Sequence, residues 1–200
     1  VKYINVSIAI VLLMQTVWMG VLLEWFIDKK APETKKIIAV GVVLIGTLLA
    51  TNIVHNSLQI DWKGILWGLL AAASFTTTMF TANKVALELS SAQRSLYMLL
   101  GGAVIVFLFA LYTQQTSFNY SIFLEYGLFL ALFGTIIPPL LMNAGFPLTG
   151  IGLGSIVSSL ELPVSVLMAF FILNEKVVFL QWVGIVLILV AIVLMNVQKK

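Results

Sequence analysis

Seven stretches of almost uninterrupted apolar residues dominate this chain, near residues 5–27, 37–54, 64–87, 95–113, 122–142, 151–173 and 178–197. Crossing a hydrocarbon core about 30 Å thick takes about 20 helical residues at ~1.5 Å each, and each stretch is of that order. A strand-built barrel needs short segments that alternate apolar and polar positions, whereas these runs are apolar on every side. Inside lipid each backbone N–H and C=O must be satisfied within the span, which leaves the helix. Short polar breaks separate the runs: DKKAPETKK (28–36), HNSLQIDWK (55–63), SSAQR (90–94), TQQTSFNYS (113–121), GFPLTG (145–150) and NEK (174–176). None is long enough for a domain outside the membrane.

Composition agrees. Of 200 residues, 61% are apolar and 10% charged, against about 45–50% and about 25% in soluble domains. A soluble fold of this length has too little interior for that load, and disordered chains carry the opposite bias. The expected fold class is an all-α integral membrane protein of about seven transmembrane helices. With no cysteine, disulfides, thiolate nucleophiles and cysteine-ligated metals are excluded. The single histidine, His55, cannot form a histidine cluster and reads as solvated in a connection. No cofactor is expected.

The formal charge of +3 comes from lysines spread along the chain, which topology explains better than nucleic acid binding. Alternating sides places Lys29, Lys30, Lys35, Lys36, Lys84, Arg94, Lys199 and Lys200 together, and Lys2, Lys63 and Lys176 opposite. The positive-inside rule then puts the C-terminus in the cytoplasm and Val1 outside, in a multi-pass protein of the cell membrane. Val1 follows no charged leader or cleavage site, and the start reads as a truncation.

The first two helices resemble the last two. A slide of 146 residues sets LLMQTVWMGVLLEWFIDKK (12–30) on SSLELPVSVLMAFFILNEK (158–176), pairing Gln15 with Glu161, Val17 with Pro163 and Lys30 with Lys176. A three-residue deletion then sets GVVLI (41–45) on GIVLI (184–188). Repeat partners five helices apart must be inverted in the membrane, an arrangement typical of secondary transporters with a midplane site between the halves.

The chain resembles EamA-type permeases of the drug/metabolite transporter superfamily. The resemblance is carried by LLMQTVWMGVLLEW (12–25), DWKGILWGLLAAASF (61–75), RSLYMLLG (94–101), FGTIIPPLLMNAG (133–145) and IVSSLELPVSVLMAFFILNEK (156–176), the last followed by QWVGIVLIL (181–189). It implies a ten-helix bundle of two inverted five-helix repeats, with this chain on the fourth to tenth helices. Residues 1–56 would be the last two helices of the first repeat, and 57–200 a complete second repeat. The family's first three helices have no counterpart here, and its usual proline in the fourth helix is replaced by Val17.

Glu161 is the sharpest candidate for a substrate-binding or coupling residue. It lies about ten residues into its span, roughly 15 Å deep. An ionised carboxylate there costs about 2.5–3.5 kcal/mol, so the neutral acid is favoured and the group should face the bundle interior or a wet cavity. It reads either as a proton-coupling group or as a permanently protonated hydrogen-bonding one. Pro163 lacks an N–H and so frees the carbonyl of Ser159, which, with Ser158 and Ser159, would face substrate or a neighbouring helix. Gln15 sits at comparable depth in the other half and both donates and accepts.

Ser74, Thr77, Thr78 and Thr81 share one face of the third helix, as cavity lining or as close-packing hydroxyls. Gly64 and Gly68, and Gly150, Gly154 and Ser158, read as packing contacts. Pro138 and Pro139 are expected to kink the fifth helix or end it early, with Asn143, Gly145, Pro147 and Gly150 beyond. Broken helices of this kind also line transporter cavities. Glu24, Glu125 and Glu175 lie near span ends and are expected to snorkel to water.

No GxxxxGK[ST] loop occurs, so ATP is not the direct driver, and any coupling would draw on a proton or solute counter-gradient. The expected function is secondary transport of a small-molecule solute across the bilayer by alternating access. The resemblance implies metabolites or drugs as substrates, and export rather than import. A membrane enzyme would need a clustered acid, base or metal set, and a retinal receptor a lysine inside its final helix; neither is present. The remaining alternative is a partial or decayed module, or a subunit that needs a partner.

Overall fold

A computed structural model describes residues 4, 6–51, 61–114, 120–122, 126–172, 174 and 176–196. His55, Glu125, Glu175 and the terminal lysines Lys2, Lys199 and Lys200 lie outside the described residues. The elements are α1 (Val6–Leu13), α2 (Thr16–Asp28), α3 (Thr34–Ala50), α4 (Trp62–Lys84), α5 (Ser91–Thr113), α6 (Leu128–Leu130), a π-helical turn (Ala131–Ile136), α7 (Ile137–Thr149), α8 (Ile151–Ser158), α9 (Glu161–Ile172) and α10 (Phe179–Asn196).

Five continuous or near-continuous rods are long and apolar enough to cross a bilayer: Ser7–Asp28, Trp62–Lys84, Ser91–Thr113, Leu128–Thr149 and Ile151–Ile172. Helices α3 and α10 are shorter, at 17 and 18 residues. The all-helical membrane fold expected from hydropathy is therefore present. Two of the rods are interrupted by turns: the first breaks at Met14–Gln15 and the last at Ser159–Leu160.

The chain packs as two compact units, Val1–Phe80 with Gly150–Lys200, and Thr81–Thr149. In the first unit α3 lies directly on α10. A Cβ on Gly184 would fall 2.5 Å from the backbone nitrogen of Ala50, so only glycine permits this approach. Helix α2 meets α8 where Gly20 faces Ser155. Gly64 and Gly68 on α4 receive Ile4 and Leu12, the close-packing role read from their spacing. Val17, Val43, Ile156 and Ala191 form a buried cluster at the centre of this unit. Large apolar side chains such as Phe26, Ile38 and Phe171 are exposed, a surface suited to lipid tails.

In the second unit α5 opens with a capping box: the Ser90 hydroxyl accepts from the Gln93 backbone N–H, and the Gln93 side chain accepts from the Ser90 N–H. The proline pair does not end its helix. Pro138 and Pro139 fall in the first turn of α7, and α7 runs on to Thr149 through Pro147. The disturbance falls upstream instead, as the π-turn over Ala131–Ile136. A widened turn of this kind re-registers carbonyls that the prolines leave without donors.

Candidate functional site

The two breaks carry the same hydrogen-bond pattern. In the first rod, Gln15 N donates to Leu12 O (3.1 Å), Val17 N to Met14 O (3.1 Å) and Met19 N to Gln15 O (3.2 Å). In the last rod, Leu160 N donates to Val157 O (3.0 Å), Leu162 N to Ser159 O (3.2 Å) and Val164 N to Leu160 O (3.1 Å). Each bond of one set maps onto the other by adding 145 to both residue numbers. Both helices tighten to i→i−3 spacing for one turn and then resume i→i−4. The structural offset differs by one residue from the 146 that best matches the letters.

The tightening takes the backbone donor from Val11 O, whereas Ile156 O keeps the Ser159 N–H at 3.2 Å, and at both breaks a local polar side chain donates to that carbonyl. Gln15 Nε2 donates to Val11 O at 2.9 Å, and Ser159 Oγ donates to Ile156 O at 2.6 Å. Val11 and Ile156 are themselves 145 apart. Gln15 Oε1 then accepts from the Trp18 indole N–H at 2.8 Å, so both ends of the amide are held. In lipid an uncovered carbonyl costs about 1–3 kcal/mol, a cost the Gln15 amide removes at Val11 O. The last rod has Pro163 to cause its break; the first has none, and the Gln15 amide takes the place of the lost helical donor.

This changes how several sequence-selected residues are read. The Ser159 carbonyl is not open to a neighbouring helix, because Leu162 N–H occupies it. Ser158 Oγ donates to Gly154 O at 2.9 Å, and Ser159 is fully buried. Pro163 is also fully buried. Glu161 begins α9 on an exposed face, and its backbone carbonyl accepts from Ser165 Oγ at 2.8 Å. No partner for its carboxylate occurs among the described residues.

On α4 the inward face is not the one chosen by spacing. Ser74 and Thr77 are exposed, and Thr78 is half-buried. Thr77 and Thr78 return their hydroxyls to the carbonyls of Ala73 and Ser74. The buried face carries Ala72, Thr76 and Met79 instead. Thr76 Oγ1 lies 2.8 Å from Thr16 Oγ1, on the first residue after the first break, and Thr16 also donates to Met79 Sδ at 3.9 Å. A cavity of about 280 Å³ beside this pair is lined by Trp18, Met19, Phe26, Thr76 and Thr77.

A second polar cavity, about 200 Å³, lies beside α9 and the start of α10. Ser7, Thr51, Ser165, Lys176 and Gln181 supply its polar lining. Gln181 ties this region together: its Nε2 donates to Ala50 O at 3.0 Å, and its Oε1 accepts from Val178 N at 3.0 Å.

Glu24 does not snorkel freely. Its carboxylate accepts from Lys36 Nζ at 2.6 Å, with the two side chains 18% and 22% exposed. It also lies against Gly150 and Gly152 at the start of α8, leaving no room for a Cβ at either position. Gly150 takes φ +82°, a backbone glycine adopts readily. Carboxylate and helix N-terminus are a favourable electrostatic match.

In the second unit, Thr81 and Asn143 meet around Arg94, which sequence reading used only as a topology marker. Arg94 is 8% exposed. Its guanidinium donates to Ala82 O at 2.9 Å and to Asn143 O. Asn143 is free to accept there because Pro147, four residues on, has no N–H for it. Asn143 Nδ2 donates to Ser95 Oγ (2.9 Å) and Pro139 O (3.0 Å), and Asn83 Nδ2 donates to Phe146 O. The proline four residues after a buried polar residue was the available signal.

No group of three or more acidic or imidazole side chains able to hold a metal occurs among the described residues. The EamA-like transporter family model matches residues 62–197, from the first residue of α4 to one residue past α10. No curated protein matches the chain, and no solved structure does. The match covers more than half of a chain built from membrane-length apolar helices, and the protein belongs to the EamA-like transporter family.

Proposed function

We propose that this membrane transporter moves a small metabolite or xenobiotic outward across the cytoplasmic membrane by alternating access, with its substrate path at the two helix breaks. The observation that carries the reading is the duplicated break: three backbone hydrogen bonds recur 145 residues apart, as do the carbonyls, Val11 O and Ile156 O, that accept from a local side chain. Discontinuous helices in repeated halves are where secondary transporters place substrates and coupling ions, since irregular backbone is tolerated there beside a cavity. On this reading residues 1–56 end one inverted repeat and 57–200 form the next, with the C-terminus cytoplasmic.

Glu161 follows its break directly and starts α9, so its carboxylate sits at the positive end of a half-helix. We assign it the coupling role: it takes a proton in one orientation of the transporter and releases it in the other. Gln15 and Ser159 hold the backbone geometry of the breaks, while Ser158, Pro163, Thr77, Thr78, Thr81 and Asn143 are secondary candidates for lining the path. Energy comes from a proton or solute counter-gradient.

Counterflow in proteoliposomes tests this, with amino acids, sugar derivatives and cationic drugs offered in turn under an imposed pH gradient. Uptake of one class that responds to the gradient, with the response abolished in Glu161→Gln, is the expected result. Gradient-driven transport unchanged in Glu161→Gln refutes the coupling role, and no exchange of any class refutes the reading as a whole.

A further inference from the structure

We propose that the cavity beside Arg94 in the second unit is a binding site for a small oxyanion, a carboxylate or phosphate group. Thr81, Val85, Arg94, Tyr97, Met98 and Asn143 line it, and its volume is about 120 Å³. A water takes up about 30 Å³ in the liquid, so the space suits an ion of a few heavy atoms. Drug-sized ligands need roughly 300 Å³ or more.

The charge argument comes first. Arg94 is more than nine-tenths buried, and no carboxylate pairs with it among the described residues. A buried guanidinium stays ionised, and holding its charge without a counter-ion is strongly unfavourable in a low-dielectric surrounding. Two neutral carbonyls, Ala82 O and Asn143 O, satisfy donors but do not cancel the charge.

The donor count agrees. Guanidinium has five N–H donors, and the two carbonyls engage two of them. Nε is buried and has no partner among the described residues. Nε–H and an adjacent terminal N–H form the side-on fork that matches the two oxygens of a carboxylate or phosphate. Reaching Nε takes a small side-chain adjustment, because the atom is not surface-accessible as it stands. Across the same cavity Asn143, 1% exposed, leaves its Oδ1 buried without a donor. An oxyanion that keeps one proton, such as dihydrogen phosphate, supplies acceptors for Arg94 and a donor for Asn143.

The site is pre-shaped by sequence. Pro147 frees the Asn143 carbonyl, that carbonyl fixes one arm of Arg94, and the end of α4 supplies Ala82 O for the other.

The test uses the full chain in phosphatidylcholine nanodiscs, with its unfolding midpoint followed as sodium chloride is replaced by sodium phosphate or acetate at constant ionic strength. A saturable rise is expected, roughly 3–6 °C at ten times the Kd. It should vanish in Arg94→Gln and in Val85→Trp, which fills the cavity while leaving the Arg94 hydrogen bonds intact. A parallel series in phosphatidylglycerol nanodiscs identifies the source. If a lipid head group occupies the site, the rise appears there without added phosphate, soluble anions add nothing further, and Val85→Trp abolishes it. No rise in either bilayer, or a rise retained in Val85→Trp, overturns the proposal.

Discussion

Replacing Gly184 with alanine probes the closest approach in the first unit. The added Cβ would lie 2.5 Å from Ala50 N, 2.5 Å from Gly46 O and 3.0 Å from Ala50 Cα. All three are backbone atoms of α3, so no side chain can rotate away, and ordinary contact begins near 3.4 Å. Helices α3 and α10 must separate by about 1 Å, the scale of overpacking that costs about 1–3 kcal/mol. Alanine returns about 0.5–1 kcal/mol through better helix propensity. The net loss runs from about 0 to 2.5 kcal/mol with a midpoint of about 1 kcal/mol, or roughly 2–4 °C in a chain of this length at that midpoint. Gly41→Ala is the control: it lies on α3, the facing helix, with nothing within 4 Å of the added carbon, and it gains about 0.5–1 kcal/mol. Thermal unfolding of both variants in one detergent decides the matter. Gly184→Ala as stable as the parent, beside a Gly41→Ala that behaves as stated, refutes the packing argument.

Three further outcomes follow from the hydrogen-bond geometry. Gln15→Leu removes the patch on Val11 O and should cost about 1–3 kcal/mol in chemical unfolding, whereas Ser159→Ala should cost about 1 kcal/mol because Ser159 N still reaches Ile156 O; equal losses would contradict this. Glu24→Gln and Lys36→Met should show a coupling of about 0.5–1 kcal/mol in a double-mutant cycle, shrinking at high salt because both side chains are partly exposed, and strict additivity would argue against the pair. Pro147→Ala gives Asn143 O a helical donor, so Arg94→Gln should cost about 1 kcal/mol less in that background than in the parent; an unchanged cost would show that the Asn143 carbonyl is not what anchors Arg94.

Hydropathy made the helical rods legible because lipid leaves the backbone no other solution, and small residues at Gly64 and Gly68 marked real contacts. Two similar helix breaks lie close to the positions that the pairing of Gln15 with Glu161 singles out. Their register is one residue away from that pairing, since letters align side chains while the breaks align backbone hydrogen bonds. What stayed hidden was local compensation. Nothing in the letters shows that Gln15 turns back onto Val11 O, or that Leu162 N reclaims the carbonyl freed by Pro163. Which hydroxyl face of α4 is buried is not legible from spacing, because threonine in a membrane helix bonds its own i−4 carbonyl equally well on either face. Glu24 and Arg94 were read from their position near span ends, whereas their partners come from residues distant in sequence.

If the first and last broken rods are inverted copies, the connections that follow them open on opposite sides of the membrane. The chain contains no cysteine, which makes single-cysteine labelling clean. Lys30→Cys reports the connection after α2, and Asn174→Cys the one after α9. An impermeant maleimide applied to intact cells should label Asn174→Cys and reach Lys30→Cys only after permeabilisation. Labelling of both in intact cells, or of neither, would contradict the inverted repeat.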